Sequence, residues 1–227
     1  MRNALRLAAL GLWLAVVALG APGQAEDHAV LPPDQVLSRL LEGNQRFVSD
    51  TSKHPHMTHQ WRDRLTREQH PVAVIVGCAD SRVPVELVFD QGFGDLFVVR
   101  VAGNIVDESV AASVVYGVLH AGASLVLVLG HEQCGAVTSA LGDYRAEPLS
   151  VQSLLKQIVP ALVGIGPGPL EQRVQLGVEA NAHQTVRELS GLGALQEPLK
   201  TGRVRIVGGV YRLETGRVEL LESESKP

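Results

Sequence analysis

The chain has 227 residues, 45% hydrophobic and 19% charged, with 23 glycines, 12 prolines and 2 cysteines. That length and apolar content suit one conventional core and exclude a disordered chain or a disulfide-dense scaffold. A net charge of -4, without any run of Lys or Arg, excludes a nucleic-acid partner.

Residues 1–25 differ from the rest. Arg2 and Arg6 are their only charges, an apolar stretch runs from Leu7 to Leu19, and small residues follow at Ala21, Gly23 and Ala25. This order predicts a signal peptide over residues 1–25, cleaved near Ala25, and an exported product, periplasmic or extracellular. The apolar centre is shorter than the roughly 20 residues that span a bilayer, so no stable membrane insertion is expected after cleavage. Cleavage removes Arg2 and Arg6 and no acid, leaving residues 26–227 more acidic by two charges. In an oxidising compartment Cys78 and Cys134 would by default form a disulfide. Their neighbours point elsewhere.

Residues 32–48 place Val36, Leu37, Leu40, Leu41 and Phe47 near one helical face, with Pro33 and Asp34 suited to a helix start. An amphipathic helix is expected there, packed on a partner element or a neighbouring subunit. Residues 49–70 are polar, carry His54, His56, His59, Trp61 and His70, and predict a loop with a short helix at 60–68. Continuous apolar runs at 71–76, 95–99 and 124–129 predict buried strands. Helical spacing is present at 83–89, 106–120, 135–141, 150–163 and 170–189. Strands alternating with helices imply right-handed crossovers and a parallel sheet covered on both faces. Residues 204–213 and 217–220, separated by Glu214-Thr215-Gly216, predict a strand, a tight turn and a short antiparallel strand. The expected class is therefore α/β: a mainly parallel β-sheet core flanked by helices, with a short antiparallel C-terminal strand, in a single catalytic domain over residues 26–227.

In open α/β sheets, ligands bind beyond the carboxyl ends of the strands. Two predicted strands end in notable chemistry, Gly77-Cys-Ala-Asp-Ser-Arg82 and Gly130-His-Glu-Gln-Cys-Gly135. His131 and Cys134 are three residues apart at a strand-to-helix junction, where both side chains can reach one centre and a helix N-terminus favours the thiolate. Cys78 would arrive from another strand end as a third ligand. Two thiolates and one imidazole suit Zn²⁺, one per subunit, and three protein ligands leave a tetrahedral position open for catalysis.

The segments CADSR at 78–82, HEQCGA at 131–136 and FDQGFGDLFVVRVAGN at 89–104 resemble the signature of the β-class carbonic anhydrases, and the likeness runs from LLEGNQRF at 40–47 to the last strands. The resemblance implies a zinc lyase that reversibly hydrates carbon dioxide to bicarbonate and a proton, working as a homodimer or higher homo-oligomer built by helix exchange. It makes Cys78, His131 and Cys134 the metal ligands and Asp80 and Arg82 the catalytic dyad beside them. It also implies that a second subunit contributes to the active-site wall. Members of the family often carry a glutamine before the first strand to hydrogen-bond substrate, and Gln60 is the residue of that type in this loop. A carboxylate is itself a competent zinc ligand, so Asp80 is expected to orient the reacting water at high pH and to ligate the metal only in a closed low-pH state. Rival readings are a CS2 or COS hydrolase on the same scaffold, a non-enzymatic zinc-binding protein, in which Asp80 and Arg82 are idle, and a disulfide-stabilised binding domain.

Overall fold

The computed structural model describes residues 30–222; the signal-peptide expectation at 1–25 lies outside the described residues. Five strands form one sheet in the order β2-β1-β3-β4-β5, with β1 Ala73–Gly77, β2 Leu96–Arg100, β3 Leu125–His131, β4 Arg205–Tyr211 and β5 Val218–Leu220. The first four strands pair in parallel, and β5 returns antiparallel on β4. The expected fold class is the one observed.

The helices are α1 Pro33–Val48, α2 His59–Arg64, α3 Val85–Val88, α4 Glu108–Leu119, α5 Gly135–Ala140, α6 Leu149–Ile158, α7 Leu170–Ser190 and α8 Gln196–Lys200. Thr58 and Asp107 cap α2 and α4 by accepting the backbone N–H three residues on, which fixes where each begins. The helical run expected over 150–163 stops at Ile158 and continues as a 3-10 turn, Val159–Leu162, because Pro160 has no N–H to give an α-helix. Helix α8 was not expected; it is a single short turn with no apolar periodicity of its own.

Side-chain alternation along β1 and β3 builds two cores. Ala73 and Ile75 of β1, with Leu125, Leu127 and Leu129 of β3, pack against Val36, Leu37 and Leu40 of α1 and Val85 and Val88 of α3. Val74, Val76, Val126 and Val128 point the other way, onto Val110, Val114 and Val118 of α4 and Ala182 and Leu189 of α7. Every residue of β1 and β3 is buried, as a doubly covered parallel sheet requires. The expectation of full coverage fails for β2, which is half-exposed because it is an edge strand paired only with β1.

Within this chain α1 packs on its own sheet and is tied down by polar contacts. Arg39 pairs with Asp95 at 2.7 Å and Arg46 with buried Asp90 at 2.6 Å. Gly43 is required where the helix crosses the chain after α3: a Cβ there would lie 1.9 Å from the Phe89 carbonyl oxygen. Buried Asn44 joins three segments, its Nδ2 donating to Val88 O at 3.1 Å and Gly216 O at 2.8 Å while its Oδ1 accepts from Val218 N at 2.9 Å. Among the described residues no helix is long and apolar enough to cross a membrane.

Asn44→Ala leaves these backbone groups without partners and is expected to destabilise the fold by about 3 kcal/mol. Urea unfolding should show a lower midpoint at unchanged slope. A loss below about 0.5 kcal/mol would mean that solvent satisfies the joint.

Candidate metal centre

The parallel pairing of β1 with β3 aligns Gly77 with Leu129, so the two chains leave the sheet side by side. Cys78 follows β1 directly, His131 is the last residue of β3, and Cys134 is the N-cap residue of α5. The strand expected over 124–129 thus runs two residues further, and its hydrogen-bonded ladder reaches His131 itself, opposite Tyr211 of β4. The intervening turn is anchored on the neighbouring strand: Glu132 N–H donates to Tyr211 O at 3.1 Å, and the Glu132 carboxylate accepts from Leu213 N at 2.9 Å. Gln133, at φ 52°, makes the reversal that brings Cys134 back toward His131.

The ligand atoms of Cys78, His131 and Cys134 all lie within 4.8 Å of one another, and all three residues are buried. Both cysteines are free, which overturns a disulfide-stabilised domain. His131 is fully buried; its Nδ1 lies 2.8 Å from Glu132 O, which leaves Nε2 without a hydrogen-bond partner. An orphaned buried nitrogen is costly unless something else takes its lone pair. With two sulfurs beside it, the donor set fits zinc, tetrahedral with three protein ligands and one position to spare.

The protonation of the cluster supports that fit. Hydrogen bonding from Cys134 lowers the Cys78 thiol to about 4 against the opposing effect of burial, with His131, the Gly103 amide and Asp80 adding to the lowering. The same contact with Cys78, together with burial, pushes the Cys134 thiol up. The helix N-terminus was expected to favour a Cys134 thiolate, and amides at Ala136 and Val137 do act that way, but the adjacent Cys78 thiolate outweighs them. His131 is opposed by burial yet raised overall by the Cys78 sulfur beside it and the charge it carries. Without a cation, two thiolates cannot share this pocket.

Asp80 stands next to the cluster and outside it. Arg82 grips its carboxylate from three donors: the backbone N–H to Oδ1 at 2.9 Å, Nε to Oδ1 at 2.9 Å and Nη2 to Oδ2 at 2.8 Å. These bonds hold Asp80 far below the usual carboxylate range, so it is ionised at any working pH. Its Oδ2 lies 3.7 Å from His131 Nε2, facing the metal position without occupying the ligand set. The structure therefore brings together all five residues expected from the sequence, with Asp80 paired to Arg82 and outside the ligand set.

Other residues of the site were not foreseen. Arg100, the last residue of β2, donates from Nε to Cys78 O at 2.8 Å and from Nη2 to Asp80 O, fixing the loop that carries both. Gly103 N–H donates to Cys78 Sγ at 3.2 Å from the 3-10 turn Ala102–Asn104. Both sit in the segment 89–104 that carries the family resemblance, and an arginine ending a strand shortly before Ala-Gly-Asn is the signal that could have marked them. Gln60 is exposed in α2, a helix that Trp61 ties to the chain before β2 by donating from Nε1 to Phe93 O at 2.7 Å. His56 is a structural partner: it stacks on Trp61 at 3.8 Å, and its Nδ1 lies 2.8 Å from Asp95 Oδ2.

A carbonic anhydrase family profile matches residues 73–218. Carbonic anhydrase 2 of Mycobacterium tuberculosis is 40% identical over 185 residues, covering 80% of this chain and 89% of that protein. The carbonic anhydrase of Mycolicibacterium smegmatis is 39% identical over the same length. Among solved structures, the β-carbonic anhydrase CcaA superposes with a TM-score of 0.66 at 26% identity, covering 85% of this chain and 94% of its own. A Coccomyxa β-carbonic anhydrase in complex with acetazolamide superposes at 0.68 with 25% identity, covering 82% and 86%. With the zinc-type donor set on the matching fold, the chain belongs to the β-class carbonic anhydrases.

Proposed function

We propose that Cys78, His131 and Cys134 hold one zinc ion per chain, and that Asp80 and Arg82 orient the reacting water in the reversible hydration of carbon dioxide to bicarbonate and a proton. The observation that carries this reading is the convergence of two buried free cysteines with the unpartnered His131 Nε2, beside a carboxylate held back by an arginine. Bound zinc supplies a Lewis acid that lowers the pKa of water from about 15.7 toward neutrality.

The chain's own residues then do three things. His131, with Nδ1 committed to Glu132 O, presents Nε2 as the ligand and keeps the ring from turning. Asp80, permanently ionised, accepts a hydrogen bond from the reacting water at the oxygen facing the cluster, turning the lone pair of that water toward the carbon of CO2. Arg82 holds Asp80 away from the metal; ligation by Asp80 in a closed low-pH state has to break the paired contacts at 2.8 and 2.9 Å. The water oxygen bonds to carbon, and its proton passes to solvent.

Two further expectations belong to this reading. Export with cleavage near Ala25 rests on the basic start, apolar centre and small residues of segment 1–25. Homo-oligomerisation is supported by the open edge of β2 and by exposed Phe93 and Tyr116 on either side of it in sequence.

Because Cys78 and Cys134 press on each other and the metal-free pair keeps a proton that two ligand thiolates cannot, zinc uptake at pH 7 should release at least one proton per site. Calorimetry in buffers of different ionisation enthalpy measures this, and uptake without proton release would contradict a two-thiolate ligand set. Asp80→Asn should keep one zinc per chain and lose about 10-fold or more in CO2 hydration. Full activity in that variant across the pH range would leave the dyad without a role. Secreted protein should begin near Glu26 by N-terminal sequencing; an intact start at Met1 in an extracytoplasmic fraction would contradict cleavage.

A further inference from the structure

Helix α7 passes behind the metal centre, far in sequence from all three ligands, and carries two buried polar residues one turn apart, Asn181 and Thr185. Asn181 Nδ2 donates to Gly103 O at 2.7 Å, and Thr185 Oγ1 donates to Asn104 O at 2.9 Å. Gly103 and Asn104 both have positive φ, 71° and 43°, which glycine takes freely and asparagine tolerates, so the turn suits these two residues. Gly103 is thereby held at both polar ends: its carbonyl on Asn181, its N–H on Cys78 Sγ at 3.2 Å. A side chain in place of this glycine would strike Ile158 Cδ1 at 2.6 Å and crowd Ala136 Cβ at 3.1 Å, so the turn is also wedged sterically against α6 and α5.

From this geometry we infer that Asn181, assisted by Thr185, is a positioning residue that fixes the Gly103 amide on the Cys78 sulfur and so sets how much negative charge Cys78 donates to the metal. The inference rests on Cys78 being a zinc ligand. An N–H···S bond withdraws electron density from a thiolate, which leaves a metal on that sulfur the stronger Lewis acid. Asn181 is 1% exposed, its Oδ1 has no hydrogen-bond partner, and its Nδ2 is committed to the Gly103 carbonyl.

The test uses the full-length chain loaded with Co²⁺, whose sulfur-to-metal charge-transfer band reports the electron density on the ligating thiolates. Asn181→Leu and Thr185→Val remove the donors at nearly constant shape; Thr185→Ser restores the hydroxyl. Both donor-less variants should bind one metal per chain, shift the band to longer wavelength and weaken zinc about 10-fold or more in competition with a chelating dye, Asn181→Leu the more strongly. Thr185→Ser should return both readings to wild type. A band unmoved in Thr185→Val and in any folded Asn181→Leu, with only the unfolding midpoint lowered, would reduce α7 to structural support and overturn the inference. A wild-type protein that takes up Co²⁺ with no thiolate charge-transfer band would overturn the ligand assignment itself, and the two failures are distinguishable on the same spectra.

Discussion

Gly77 of β1 lies opposite Leu129 of β3, and from that register the geometry of the metal centre follows. It sets Cys78 just past the sheet while His131 is still within it, so that a tight reversal at Gln133 suffices to bring Cys134 to the same point. The register is enforced from both faces. A slip by one residue would turn Ile75, Leu127 and their companions from the α1 side to the α4 side and leave neither core filled. The apolar runs that make β1 and β3 buried strands are therefore also what aims the ligands.

Burial then sharpens the electrostatics. A pocket closed enough to bury His131 completely raises the cost of each uncompensated charge in it, and it contains two thiols that press on each other. Its polar groups are satisfied from outside by a ring of supports: Arg100 on the Cys78 and Asp80 carbonyls, Glu132 O on His131, Arg82 on Asp80 and the Gly103 amide on sulfur. Facing inward from this ring are two sulfurs and the unpartnered His131 nitrogen, and a soft dication answers that set. The carboxylate of Asp80 is kept from answering it by Arg82, which separates the role of ligand from that of hydrogen-bond acceptor.

Much of this was legible in the residues. The strand runs, the helix start at Pro33 and the meeting of Cys78, His131 and Cys134 all follow from periodicity and from where apolar runs stop. The limits have physical causes. Pro160 ends a helix whose apolar spacing continues past it, and β2 reads as fully buried because an edge strand and a central strand share the same composition. Gly103, Asn181 and Thr185 escaped notice because their contacts span about eighty residues or act through backbone amides and carbonyls, which have no sequence signature. His56 looked like part of a solvated histidine loop, whereas its partner, Asp95, lies 39 residues on.

The central claim is that a single zinc on the two strand ends performs the hydration. The most direct measurement strips the purified protein of metal, returns zinc in sub-stoichiometric steps, and records CO2 hydration and bound zinc on the same sample. The account predicts activity rising in proportion to zinc and levelling at one ion per chain. Hydration that persists in the stripped protein, or full zinc occupancy without hydration, would contradict it.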